Sequence, residues 1–503
     1  MKVRLLFADR DFNAGTPTPS NAADLVADLA LDTLLGAMGG VDRFLVDTSR
    51  RVLLASLGDQ AAIRYRQAVL TDCIRNPATV REMYAVAVEA IDRERREWLF
   101  VVDRPESLLS RSLTVLGIFV GLLRRLRATA KAAPAFESDG FQTLFRSLSE
   151  ELGDEYLARV EGHLRLLEPA RGVLMSARLG DGNVGTGYVL RRPLRQRLID
   201  GIFGHGSDYE FEINPRDDTA VEALGQIHGR GTALAAVALG RSADHILAFF
   251  SALRFELGFY LACLNLRERL ESAGLATCMP EAVANACDLR AHGLYDLTLS
   301  LAGMSPVVGS DADLPGKALL VITGANRGGK STFLRALGVA QLMMQAGAFV
   351  AAESFRADVR NGVFTHFRRE EDATMTHGKL DEELARAAAI VRDVRPGALL
   401  LFNESFASTN EREGSEIGRQ LVHALADSGV KVAYVTHMYD LAHSLFAEGR
   451  ADAAFLRAER LPDGRRTFRI VTGEPLPTSH GEDVYRKVFG EDVGRQALAA
   501  DAR

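Results

Sequence analysis

The chain has 503 residues, 47% hydrophobic and 25% charged, a composition that excludes a disordered chain and allows about two to four domains with full cores. Its 60 basic and 66 acidic residues give a formal charge of −6, so any nucleic-acid surface has to be a local patch. No apolar run approaches the roughly 20 residues that span a bilayer, and charge at Lys2, Arg4, Asp9 and Arg10 comes too early for a secretory signal, so the expectation is a cytoplasmic protein without a membrane segment.

In chain order, residues 15–21, with two prolines, two threonines and a serine, read as a surface loop. From about Ala22 to Leu289 the periodicity is helical. Residues 61–88, 107–132, 141–167 and 219–272 place apolar side chains three and four apart with charge between them. Residues 172–190 break this habit by alternating around the turn cluster Gly180-Asp181-Gly182-Asn183, which predicts a β-hairpin. Arg178, Arg191, Arg192, Arg195 and Arg197 surround it and suit sequence-blind contact with phosphates. A second basic cluster, Arg124, Arg125, Arg127 and Lys131, lies on a helix. Cys73, Cys263, Cys278 and Cys287 have no paired C-x-x-C spacing and read as reduced core thiols.

After about Leu294 short apolar strands alternate with helices, the α/β pattern. Strands are expected at 318–323, 348–352, 362–367, 399–402 and 432–436, and a late hairpin pairs 454–457 with 467–471. The first of these strands runs into Gly324-Ala325-Asn326-Arg327-Gly328-Gly329-Lys330-Ser331-Thr332, which fills the pattern G-x-x-x-x-G-K-[ST]. Its glycines let backbone N–H groups fold around phosphate oxygens, and a following helix offers them its positive end. Lys330 is the charge for the outer phosphates, and the Ser331 hydroxyl is a Mg²⁺ ligand.

About 70 residues on, an apolar strand ends in Asn403-Glu404. Such a strand end delivers polar side chains beside the phosphates, where Glu404 polarises the attacking water and Asn403 hydrogen-bonds Mg²⁺-bound water. A third strand ends at His437, which can donate to a γ-phosphate.

With these motifs in order, the chain resembles the MutS family of DNA mismatch-repair ATPases. Residues 324–332 look like that family's G-P-N-M-G-G-K-S-T loop, residues 347–352 like its G-x-[YF]-V-P-A segment, and Thr436-His437-Met438-Tyr439 like its T-H-[YF] strand end. Thr478-Ser479-His480-Gly481 resembles its S-x-G element, and Tyr65 to Leu70 the start of its core and lever helices. The resemblance implies a multidomain fold: a mainly α-helical core and lever region with a small β-containing clamp, then an α/β ABC-type P-loop ATPase domain. The boundaries that follow are an N-terminal segment at 1–60, the helical region at 61–293 with the clamp at about 172–197, the ATPase domain at 294–490 and a tail at 491–503. It also implies ATP and Mg²⁺ as ligands, DNA as partner, and a homodimer in which one subunit's signature segment caps its partner's nucleotide. That segment falls at 374–380, with Thr376, Gly378 and Lys379 as the reaching residues.

Several departures from the family bear on how far its function carries over. Asn403 replaces the aspartate of the Walker B pair. Glu353 stands where a glutamine is usual, as a third candidate metal ligand. Arg327 replaces a methionine in the loop. The family's mismatch-reading G-x-F-x-E has only the lookalike Gly258-Phe259-Tyr260-Leu261, which reads as helix core. With about 300 residues before the ATPase region there is no room for the family's mismatch-reading and connector domains, so mismatch reading by such a wedge is not expected. The expected function is ATP-dependent control of a DNA clamp in mismatch repair or related repair and recombination. The competing readings are a nucleotide-gated clamp with little hydrolysis, and an ABC-type ATPase acting on RNA, ribosomes or a protein.

Overall fold

The structure is a computed structural model that describes residues 1–98, 105–167, 174–191, 212–214, 216–284, 287–304, 306–369, 378–462 and 464–476. It divides into two compact units. One comprises Met1–Leu5, Asp9–Phe12 and Asn76–Leu257, the other Leu6–Ala8, Asn13–Arg75 and Gly258–Arg503.

The first four helices, α1 (Ala22–Asp28), α2 (Leu31–Gly39), α3 (Arg43–Leu54) and α4 (Gln60–Arg75), belong to the second unit. Pro77 stops α4 and starts α5 (Pro77–Trp98), because its ring fixes a helical φ and its missing N–H costs nothing at a first turn. The predicted helix at 61–88 is therefore two helices.

The first unit continues with α6 (Pro105–Ala132), α7 (Asp139–Glu151) and α8 (Asp154–Leu166). A hairpin of β1 (Met175–Leu179) and β2 (Gly185–Leu190) follows, turning through a short 3₁₀ segment with Gly182 at φ 71°. The long α9 (Asp218–Ser272) contributes residues to both units. Within the first unit Phe119 meets Phe250 at 5.5 Å, and Phe136, Phe141 and Phe145 form a ring cluster. Buried Glu256 is satisfied by the backbone N–H groups of Leu5 at 2.6 Å and Phe12 at 2.7 Å.

Two of these helices correct the expectation about apolar runs. Residues 107–132 and part of α9 are long and apolar enough to cross a membrane by length and composition. Of those windows, 50% and 67% is buried against protein, which is how core helices behave. Phe259 and Tyr260 of the wedge lookalike are fully buried in α9.

The second unit carries two sheets. Its elements are β3 (Glu281–Val283), β4 (Leu289–Leu294), α10 (Leu297–Leu301), β5 (Ser310–Asp313), β6 (Leu319–Thr323) and α11 (Lys330–Gln345). Then come β7 (Ser354–Asp358), β8 (Val363–Phe367), α12 (Lys379–Asp393), β9 (Leu399–Asn403) and α13 (Glu411–Asp427). Last are β10 (Lys431–Val435), α14 (Tyr439–Ala447), β11 (Ala453–Arg460) and β12 (Arg466–Thr472).

The larger sheet has the order β12-β11-β6-β10-β9-β8, parallel throughout except for β12 at its edge. Strands β6, β9 and β10 are almost wholly buried, as continuous apolar runs under helices on both faces should be. The smaller sheet, β3-β7-β4-β5, mixes parallel and antiparallel pairs.

Residues 348–352 are not a strand. They share only the isolated bridge Cys278–Val350, because Gly347 (φ 78°) turns the chain directly off α11 into a site enclosed on all sides. The strand forms later, at β7. Cys73 and Cys263 are buried, whereas Cys278 and Cys287 are half-buried, so only the first pair are core thiols.

Candidate functional site

The loop between β6 and α11 has the backbone that its glycines allow. Gly324 lies at φ 108° and Gly329 at φ 96°, the left-handed region that L side chains rarely enter. A Cβ on Gly328 would sit 2.6 Å from the Ala458 Cβ, and one on Gly329 would sit 2.8 Å from the Phe468 carbonyl oxygen. The loop is thus pressed against β11 and β12 and tolerates no side chain at these points. Arg327 is exposed at its tip, also left-handed at φ 58°. The buried Lys330 ammonium donates to the carbonyl oxygens of Gly324 at 2.8 Å and Ala325 at 3.1 Å. Desolvation lowers its pKa, Glu404 opposes that, and Arg466 on β12 adds to it. Arg466 is a second cation here, one that no motif in the sequence singles out.

Parallel register brings the remaining residues to the same edge. Val435 pairs with both Ile322 and Asn403, so the carboxyl ends of β6, β9 and β10 are level. The Ser331 hydroxyl donates to Asn403 Oδ1 at 2.8 Å, across 72 residues of sequence. Glu404 follows at φ 53°, its N–H donating to the Val435 carbonyl at 2.9 Å. His437 is exposed in the link between β10 and α14, just beyond that level edge.

Glu353 is not in this group. Its carboxylate pairs with His292 at 3.1 Å beside the smaller sheet, and it has no hydrogen bond with Ser331 or Asn403. The reason is topological: Glu353 precedes β7, which belongs to the other sheet. Gly378 is the N-cap of α12 and Lys379 its first residue. Thr376 and residues 478–481 lie outside the described residues.

A buried polar cluster, equally unmarked in the sequence, lies behind Glu404. The Glu383 carboxylate of α12 accepts from the Phe406 backbone N–H at 2.8 Å and from the Ser408 hydroxyl at 3.2 Å. The Tyr434 hydroxyl donates to the Ser405 carbonyl at 2.9 Å. His366 contacts Ser405 Oγ at 2.7 Å and the Glu383 carbonyl at 2.9 Å. Burial lowers the His366 pKa to about 4. The lowered pKa keeps the ring neutral near pH 7, between the Glu383 carbonyl and the Ser405 hydroxyl, which itself donates to the His366 backbone carbonyl at 2.6 Å.

In the first unit, Arg178 and Arg191 are exposed at the β1–β2 hairpin, and Arg191 Nε donates to Ser176 Oγ at 2.9 Å. Arg192, Arg195 and Arg197 lie outside the described residues. The helix cluster is a different matter. Arg124 pairs with Glu161, Arg125 with Glu89 at 3.1 Å, and Arg127 with Asp154. These arginines bridge helices and present little free charge.

Residues 58–273 match the family model of the MutS2 N-terminal domain, and residues 320–489 match that of MutS domain V. The chain belongs to the MutS family. Of its relatives, DNA mismatch repair protein MutS of Chloroflexus aurantiacus is 31% identical over 155 residues, covering 30% of this chain and 16% of that protein. Endonuclease MutS2 of Thermus thermophilus is 31% identical over 183 residues, 36% of this chain and 24% of that protein. MutS protein homolog 4 of Mus musculus is 26% identical over 170 residues, 34% of this chain and 17% of that protein. The chain thus spans a quarter or less of these relatives' lengths. The MutS domain V match contains the whole Lys330–Ser331–Asn403–Glu404 group, and the MutS2 N-terminal match contains the hairpin.

Proposed function

We propose that this MutS-family chain is an ATP-dependent DNA-binding protein of DNA repair, with an ABC-type ATPase site that controls a clamp. The observation that carries the reading is the convergence of a glycine cradle, Lys330, the Ser331–Asn403 pair and Glu404 at one sheet edge. The residues fit ATP and Mg²⁺. A cradle that any Cβ would fill suits phosphate oxygens, and two neutral side-chain oxygens 2.8 Å apart suit a hard cation.

Ser331 and Asn403 would hold Mg²⁺, which when bound neutralises charge on the outer phosphates. Lys330 would add a second positive charge against the same phosphates. Glu404 accepts a proton from the attacking water, and His437 donates a hydrogen bond to the terminal phosphate. In a homodimer, Gly378 and Lys379 at the start of α12 would face the partner's nucleotide. Arg178 and Arg191 would meet DNA phosphates.

Steady-state ATP turnover of wild type and Glu404→Gln tests the enzyme reading, with wild type expected at least about a hundredfold faster. Equal rates would instead favour a nucleotide-gated clamp that hydrolyses little. Asn403 favours that second reading, since its amide oxygen brings no charge to the metal.

A further inference from the structure

The turn after β9 holds two residues in a conformation their side chains disfavour, Glu404 at φ 53° and Phe406 at φ 62°. Such a turn persists only where its surroundings over-determine it. Phe406 is fully buried, and its N–H finds an acceptor in the Glu383 carboxylate at 2.8 Å. That oxygen also takes the Ser408 hydroxyl at 3.2 Å, and Tyr434 fixes the Ser405 carbonyl between them. Glu383 is itself only 7% exposed, and desolvation raises its pKa. A carboxylate is costly at such a position unless its hydrogen bonds offset the burial.

Glu383 stands four residues after Lys379, in the second turn of α12. A shift of the start of α12 along or about its axis therefore moves the acceptor that holds the Phe406 turn. We propose that Glu383 is a positioning residue that couples α12 to the turn aiming Glu404. With α12 seated, Phe406 N–H is held and Glu404 stays at the sheet edge. With α12 displaced, the turn loses its acceptor and relaxes out of the left-handed region. This deepens the ATPase reading and rests on it for its effect on turnover, though not for its effect on the turn.

The test compares wild type, Glu383→Ala, Glu383→Gln and Glu383→Asp in the full chain. Hydrogen exchange without nucleotide is expected to be about tenfold faster across residues 405–408 in Glu383→Ala, with residues 319–323 of β6 unchanged. In the same variant kcat should fall about tenfold while the fluorescent mant-ATP Kd stays within about twofold. Glu383→Gln keeps an oxygen for the Phe406 N–H and should recover most of both. Glu383→Asp, one methylene shorter, should fall between, and serves if the alanine variant does not fold. Unchanged exchange at 405–408 in both Ala and Asp variants overturns the proposal. So does a loss of nucleotide affinity parallel to the loss of turnover. A wild type that neither binds mant-ATP nor outpaces Glu404→Gln defeats the ATPase reading alone, since exchange still decides the role of Glu383.

Discussion

Asn403 is the residue on which the chemistry turns. Its Oδ1 accepts from Ser331 at 2.8 Å, so in the proposed metal site an oxygen would be kept while the charge is not. Asn403→Asp should therefore lower the Mg²⁺ concentration giving half-maximal ATP turnover by about tenfold, read by titrating Mg²⁺ at fixed ATP. An unchanged midpoint would separate Asn403 from the metal. Gly329 makes a complementary case. Alanine there has to adopt φ 96° and place its Cβ 2.8 Å from a backbone oxygen of β12, which cannot swing away as a side chain could. Gly329→Ala should cost about 1–3 kcal/mol of stability and weaken mant-ATP binding. The sequence shows the glycine, while the atom that forbids its replacement belongs to Phe468, far along the chain.

Among elements, the contacts of α12 and α13 with the turn after β9 decide more than helix propensity does. Gly414 lies in α13, where alanine would ordinarily stabilise by about 1 kcal/mol. Its Cβ would come within 2.3 Å of the Phe406 carbonyl oxygen, a backbone atom. Gly414→Ala should thus destabilise by about 1–3 kcal/mol in urea unfolding and speed exchange across residues 405–408. The buried His366 gives a pH signature. Its folded pKa, about 4, lies below the ordinary 6.5. The unfolded chain therefore binds more protons between pH 6.5 and 4, and stability is lost as pH drops through that window, by up to about 3 kcal/mol. The raised pKa of Glu383 acts in the opposite sense just above its ordinary 4.5. Unfolding free energies from pH 7 to 4.5 should fall more steeply for wild type than for His366→Gln.

For the whole molecule, a chain with an acidic balance has to bind DNA through a local basic patch, and the hairpin arginines are the exposed candidates. Replacing Arg178 and Arg191 with glutamate should weaken duplex binding regardless of sequence and flatten the log-affinity against log-salt slope by roughly one unit for each phosphate no longer neutralised. Replacing Arg124, Arg125 and Arg127 should instead lower stability, because their charges are spent on Glu161, Glu89 and Asp154. Unchanged salt dependence in the hairpin variant would remove DNA from this surface. ATP dependence of the affinity, with the mass of the complex measured by light scattering, addresses the proposed switch and dimer together.

Local chemistry made much of this legible in the sequence. Glycines that only a phosphate loop needs, buried strands that read as continuous apolar runs, and polar residues at the ends of those strands are all short-range signals. They pointed to β6, β9, β10 and the loop, along with the hairpin and the long helices. Pairing between distant segments carries no such signal. That Ser331 meets Asn403 depends on which strands lie side by side, and that Glu353 joins His292 depends on β7, the strand just after it, entering the smaller sheet beside β4. The bonds from Glu383 to Phe406 and Ser408 arise only once α12 packs behind β9, because a buried carboxylate takes whatever donors the fold brings within reach.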